Sequence, residues 1–157
     1  MDNYKSYELA YQESMTDPEG FWLGAASGLD WDVKPERAWT EGAGWFAGGV
    51  LNSCHNAVDR HVAAGNGDRT AVIYESPVTG QTRAFSYAEL LDQVARTAGM
   101  LAGLGVAKGD RVVIYMPMIP ETLFAMLACA RLGAIHSVVF GGFAAPELAK
   151  RIDDAQP

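Results

Sequence analysis

Residues 111–139 read RVVIYMPMIPETLFAMLACARLGAIHSVV. Residues 111–115 form a run of β-branched and aromatic side chains that predicts a strand. After Pro117 and Pro120, residues 121–132 predict a helix with almost no polar face. Gly133 closes that helix, and residues 135–139 predict a second apolar strand. Continuous rather than alternating apolar strands are the mark of burial on both faces. A strand, a helix and a strand at this spacing have the length and order of a right-handed βαβ unit with parallel strands. The fold class is therefore α/β, with parallel strands covered by helices. Such a sheet needs more strands than the chain supplies, so these residues are expected to be the N-terminal part of something longer.

Upstream, Ser86-Tyr87-Ala88-Glu89 has the spacing of a capping box and starts a helix whose apolar stripe is Leu90, Leu91, Val94, Ala98, Leu101 and Leu104. Gly105 is its natural left-handed stop. Residues 70–74 and 82–85, separated by a turn between Pro77 and Gly80, read as a hairpin. Leu51, Cys54, Val58 and Val62 recur at helical spacing, with Asn52 or Ser53 placed to cap the first turn and an end expected near Gly65. Trp22, Trp31, Trp39 and Trp45 all fall in the first fifty residues at no regular period. After a helix around residues 4–14, this segment is expected to be an irregular arm that lays its tryptophans on a larger body. The predicted division is residues 1–65 as a helical and irregular arm and residues 66–157 as the start of a large domain. Downstream, Pro146 suits the first turn of a last helix through Glu147, Leu148, Lys150, Arg151 and Ile152.

The chain has 157 residues, of which 49% are hydrophobic and 20% charged, a globular composition that is neither disordered nor low-complexity. Its formal net charge of −7 supplies no global positive field for nucleic acid or an acidic membrane, so an anionic ligand must be gripped locally. The tryptophans lack the interleaved basic residues of a nucleic-acid platform. Cys54 and Cys129 sit among apolar neighbours, with no CxxC pair or metal-ligand spacing, and read as buried thiols in a reducing compartment. Asp2, Glu8 and Glu13 argue against a secretory or transit segment, and the apolar stretch at residues 122–130 is too short to span a bilayer. A cytoplasmic protein is expected.

Chemistry is best placed at Phe140-Gly141-Gly142-Phe143, at the carboxyl end of the second strand and before a helix, where open α/β sheets bind ligands. Two glycines allow close backbone approach, and the helix start offers amides to an anion. A plain tight turn explains the same residues. No complete catalytic set is present: the chain lacks a phosphate-binding loop ending in Lys-Ser/Thr, GxGxxG, GxSxG and HExxH. His55 and His61 fall on different helix faces, and His136 alternates with apolar strand residues. Lys108, Asp110 and Arg111 read as a solvated turn, while Lys150 and Arg151 either add charge near the two glycines or face water.

Several ordered blocks carry a resemblance. They are Trp45-Phe46 with Gly48-Gly49, the run from Asn52 to His61, Gly109-Asp110-Arg111-Val112, Tyr115 to Glu121, Leu127 to Arg131, and His136 to Phe143 continuing to Arg151-Ile152-Asp153-Asp154-Ala155. Together they resemble the N-terminal quarter of AMP-forming short-chain acyl-CoA synthetases, members of the adenylate-forming ligase superfamily. The Asn52–His61 run and the closing Arg-Ile-Asp-Asp-Ala look more like the propionate-activating than the acetate-activating branch. The resemblance implies ATP, coenzyme A and Mg2+ as cofactors, propionate or acetate as the acid, and the remainder of the same polypeptide as a partner, with no nucleic acid and no membrane. It implies that Phe140, Gly141 and Gly142 border the nucleotide portion of coenzyme A. It carries over no catalytic residue and no metal ligand, so these residues alone are expected to be inactive. An acetyl-CoA synthetase is the alternative of the same class, and a non-catalytic nucleotide- or partner-binding module the alternative of another.

Overall fold

A computed structural model describes residues 6–157. The chain folds as two compact units, Met1–Leu51 and Asn52–Pro157. In the first, helix α1 (Tyr7–Thr16) is capped by Ser6, whose Oγ accepts from the Leu9 amide at 3.4 Å. The expected start at residue 4 lies outside the described residues. A second helix, α2 (Pro18–Ala26), replaces part of the expected irregular arm. Asp17 caps it by accepting from the Gly20 amide at 3.0 Å, and Pro18, which needs no donor in a first turn, opens it.

Beyond α2, strands β1 (Trp39–Thr40) and β2 (Gly44–Trp45) pair antiparallel, and Val33 bridges Val50. Glu19 accepts from the Ala38 amide at 3.0 Å, and the Trp31 indole donates to the Ala26 carbonyl at 2.8 Å. The tryptophans also stack on one another: Trp45 meets Trp22 at 5.6 Å and Trp39 at 5.3 Å, edge to face. Gly49 has no room for a side chain, because a Cβ there would stand 2.7 Å from the Trp31 ring. The segment is thus ordered by caps, indole contacts and short bridges, none of which has a hydrophobic period.

The second unit opens with two wide helical turns, His55–Asp59 and Val62–Asn66, in which the backbone bonds skip one residue further than in an α-helix. Of the two cap candidates Asn52 serves, its Oδ1 accepting from the His55 amide at 3.0 Å, and Gly65 ends the run with φ +81°. Strands β3 (Thr70–Ser76) and β4 (Gln81–Ser86) form the antiparallel hairpin. Helix α3 (Tyr87–Gly103) starts with the full capping box: Ser86 Oγ accepts from the Glu89 amide, and the Glu89 carboxylate accepts from the Ser86 amide. Gly105, at φ +96°, lets the Val106 amide reach back to the Leu101 carbonyl at 3.0 Å and so closes the helix.

Strand β5 (Arg111–Met116), helix α4 (Pro120–Leu132) and strand β6 (Ile135–Phe140) form the βαβ unit. The strands are parallel and in register from Arg111 against Ile135 to Met116 against Phe140. Phe140 is therefore the last strand residue rather than the first of the turn. Helix α5 (Ala145–Ala155) packs on β5 and β6, and Arg111 ties down its end by donating to the carbonyls of Ala155 at 3.0 Å and Gln156 at 2.6 Å. Arg111 thus anchors a helix where a solvated turn was expected.

The core has two clusters. One gathers Cys54, Val58, Phe85, Leu90, Val94 and Phe124; the other is built on Ile114, Cys129 and Ala134. Helix α4 contributes to both, through Phe124 and Leu127 to the first and through Ala125, Met126 and Cys129 to the second. This double burial is why residues 121–132 have so little polar face.

Candidate functional site

A cleft of about 530 Å³ lies at the carboxyl end of the β5–β6 pair. One wall is residues 74–79 at the hairpin tip; the other is residues 117–119 and 140–142. The three residues singled out in the sequence, Phe140, Gly141 and Gly142, therefore stand together on one wall. Glu75 is the one charged residue of the lining, and the remainder is largely apolar: Tyr74, Pro77, Val78, Pro117, Met118 and Ile119. Such a surface receives a flat or apolar group better than a bare phosphate.

The two glycines are crowded in different ways, Gly141 by backbone and Gly142 by an exposed ring. A Cβ on Gly141 would lie 2.9 Å from the Met116 carbonyl oxygen and 3.0 Å from Pro117 N, backbone atoms that cannot swing aside. On Gly142 it would strike the Phe140 ring at 2.5 Å. Gly141 is thus the point where the exit of β6 crosses the exit of β5, and any side chain there forces the two walls of the turn apart. The Phe143 amide closes the turn on the Phe140 carbonyl at 3.0 Å, and the two rings meet edge to face at 5.8 Å. Tyr115 reaches across from β5 to donate its hydroxyl to the Phe143 carbonyl at 2.6 Å. Opposite, the buried Thr122 hydroxyl donates to the Pro117 carbonyl at 2.7 Å.

The start of α5 does not provide the anion seat expected of it. Pro146 has no N–H, the Glu147 amide is taken by the Ala144 carbonyl at 3.0 Å, and the Glu147 carboxylate itself occupies the first turn. Lys150 pairs with that carboxylate at 2.7 Å on an exposed face, so its charge is spent locally.

The polar group that sequence reading missed lies away from the cleft. Arg131, at the end of α4, donates from Nη2 to Asp59 Oδ2 at 2.6 Å, with both side chains 26% exposed. The Arg131 carbonyl accepts from Asn52 Nδ2 at 3.0 Å, and Cys54 Sγ lies 4.0 Å from the same Asp59 oxygen. Burial pushes the Cys54 thiol above its ordinary pKa, against the opposing pull of Arg131. Burial would lower Arg131, but the hydrogen bond to Asp59, followed by the charges of Cys54 and Asp59, outweighs it and holds the guanidinium above its usual value. Burial also raises Cys129. Both cysteines are buried and free. His61 stacks on Tyr87 at 4.9 Å. Among the described residues no three His, Cys, Asp or Glu side chains gather as a metal site.

Comparison with known proteins gives the class. Residues 59–157 match the AMP-binding enzyme family, and residues 7–57 match the acetyl-coenzyme A synthetase N-terminus. The chain belongs to the AMP-binding enzyme family. Among its relatives, the mitochondrial acyl-CoA synthetase short-chain family member 3 of Bos taurus is 52% identical over 156 residues, covering 96% of this chain and 23% of that protein. The acetyl-coenzyme A synthetase of Streptomyces coelicolor is 54% identical over 150 residues, covering 93% and 23%. The acetoacetyl-CoA synthetase structure from Streptomyces lividans superposes with a TM-score of 0.83 at 27% identity, over 99% of this chain and 25% of that one. The α/β fold is that of the matching part of an adenylate-forming enzyme. The chain spans about a quarter of the length of these relatives. Among the described residues no helix is long and apolar enough to cross a membrane.

Proposed function

We propose that this chain forms part of an AMP-forming short-chain acyl-CoA synthetase whose favoured acid is propionate. In the reaction a carboxylate oxygen attacks the α-phosphorus of ATP and pyrophosphate leaves. The thiol of coenzyme A then attacks the acyl carbon of the mixed anhydride, loses its proton, and AMP departs. Activation is needed because a carboxylate spreads its charge over two oxygens and resists nucleophiles, whereas AMP is a good leaving group. Residues 140–142 border the nucleotide portion of coenzyme A. The observation that carries this reading is the meeting of Phe140, Gly141 and Gly142 on the wall of a largely apolar cleft, in a chain about half identical to two short-chain acyl-CoA synthetases. The cleft suits the base of that nucleotide; its phosphates need cations from elsewhere in the polypeptide.

The assignment of residues 1–65 to an arm and 66–157 to the start of the large domain belongs to the same proposal, as does a cytoplasmic setting, which the two buried free thiols support. Acetate is the second reading, favoured by the 54% identity to the Streptomyces coelicolor acetyl-coenzyme A synthetase. Thioester formation by the complete polypeptide, followed with propionate and with acetate, separates the two: a higher kcat/KM for acetate overturns the propionate assignment. Gly141→Trp, which places a bulky side chain against the Met116–Pro117 backbone, raises the apparent KM for coenzyme A at least tenfold. Unchanged coenzyme A kinetics in that variant refute the site.

A further inference from the structure

The turn at residues 140–143 carries the surface assigned to coenzyme A, yet it has little to hold it. Phe140 and Phe143 are exposed, and the turn's own backbone bond runs from Phe143 to Phe140. Its near end is fixed, because Gly141 is wedged against the Met116–Pro117 backbone and Pro117 is in turn held by Thr122. Its far end is tied by the 2.6 Å bond from the Tyr115 hydroxyl to the Phe143 carbonyl, which spans 28 positions of sequence. Tyr115 is well suited to this task. Its backbone is locked in the β5–β6 ladder opposite Val139, and only two side-chain torsions separate that rigid base from the hydroxyl.

We propose that Tyr115 is a positioning residue for the coenzyme A half of the reaction. Its hydroxyl fixes the far end of the turn at Phe143 and so sets how Gly142, between that end and the fixed Phe140–Gly141 end, faces the ligand, without touching substrate itself. This rests on the assignment of that turn to coenzyme A. Tyr115 is itself 41% exposed, so its hydrogen bond is worth no more than one ordinary neutral bond, and that acts on the geometry of the turn.

The test is Tyr115→Phe in the complete polypeptide, which removes one oxygen and leaves the ring. The apparent KM for coenzyme A rises roughly three- to tenfold, the range expected from one neutral hydrogen bond, while kcat at saturating coenzyme A stays at the parental value and the urea midpoint falls by no more than that one bond accounts for. A purely structural role would lower the midpoint and leave that KM alone, and this outcome overturns the proposal. Gly141→Trp measured in parallel separates the two levels of the argument. If it raises the KM for coenzyme A and Tyr115→Phe does not, the positioning role is wrong and the site stands. If neither moves it, the site assignment fails and takes the positioning role with it.

Discussion

Replacing Asp59 by alanine removes one partner of the Asp59–Arg131 pair and leaves a half-buried guanidinium without its carboxylate. The two atoms are 2.6 Å apart and each side chain is 26% exposed, so the pair lies between two regimes. Exposed pairs contribute up to about 1 kcal/mol, whereas stripping one partner from a fully buried pair costs about 3–5 kcal/mol. Arg131 Nε is already buried without a hydrogen-bond partner, so the stranded guanidinium keeps only Cys54 and its exposed edge. A loss of about 2–3 kcal/mol follows for Asp59→Ala, or roughly 30- to 150-fold in the population of opened molecules.

Cys54 reports that opening directly, because it is fully buried beside the pair and reacts with a thiol reagent only when the local structure gives way. In the complete polypeptide carrying Cys129→Ala, the modification rate of Cys54 rises by that factor on Asp59→Ala. The double replacement Asp59→Leu with Arg131→Met, which removes both charges, recovers most of it. A rate within threefold of the parent in Asp59→Ala, or a double variant as reactive as the single one, refutes the argument.

The raised pKa values of Cys54 and Cys129 have a definite sign: the unfolded chain ionises its thiols first, from roughly pH 8.5, while the folded chain resists. Their contribution is fully present below that pH and is lost as pH rises through the folded values, so the urea midpoint falls above about pH 8.5, and replacing both cysteines by alanine flattens that fall. Ser86→Ala breaks the capping box of α3 and costs about 1 kcal/mol by urea denaturation, while Ser86→Gly costs a few tenths; equal losses would show that the hydroxyl is not the source.

The βαβ unit, the hairpin and α3 were legible in the sequence because each rests on a local signal: the apolar runs around Ile114 and Val139, the turn at Gly80, the reciprocal spacing of Ser86 and Glu89. Helix α2 was not, since Gly20 and Gly24 depress its helical propensity, although Asp17-Pro18 was a start signal in plain view. Phe140, Gly141 and Gly142 could be placed at a strand end, but the cleft they line needs the hairpin tip some sixty positions earlier, and no spacing rule connects the two. The same holds for Asp59 and Arg131, which are 72 positions apart and meet only because the wide helical turns pack against the end of α4. The empty promise of α5 had a visible warning, as Pro146 and Glu147 withdraw the amide and the positive field that an anion would use.

The two walls of the cleft belong to different halves of the core. The hairpin wall is rooted in the cluster around Phe85 and Phe124, and the strand-exit wall in the cluster around Ile114 and Cys129. Helix α4 is common to both, packed between the elements that carry the two walls. A void made at Phe124 therefore lies on the same helix that packs against Ile114 through Cys129. Under the proposed reading, the width of the groove depends in part on side chains that never see the ligand. On that reading, a different ligand fit has a route through the buried face of α4 as well as through the groove itself.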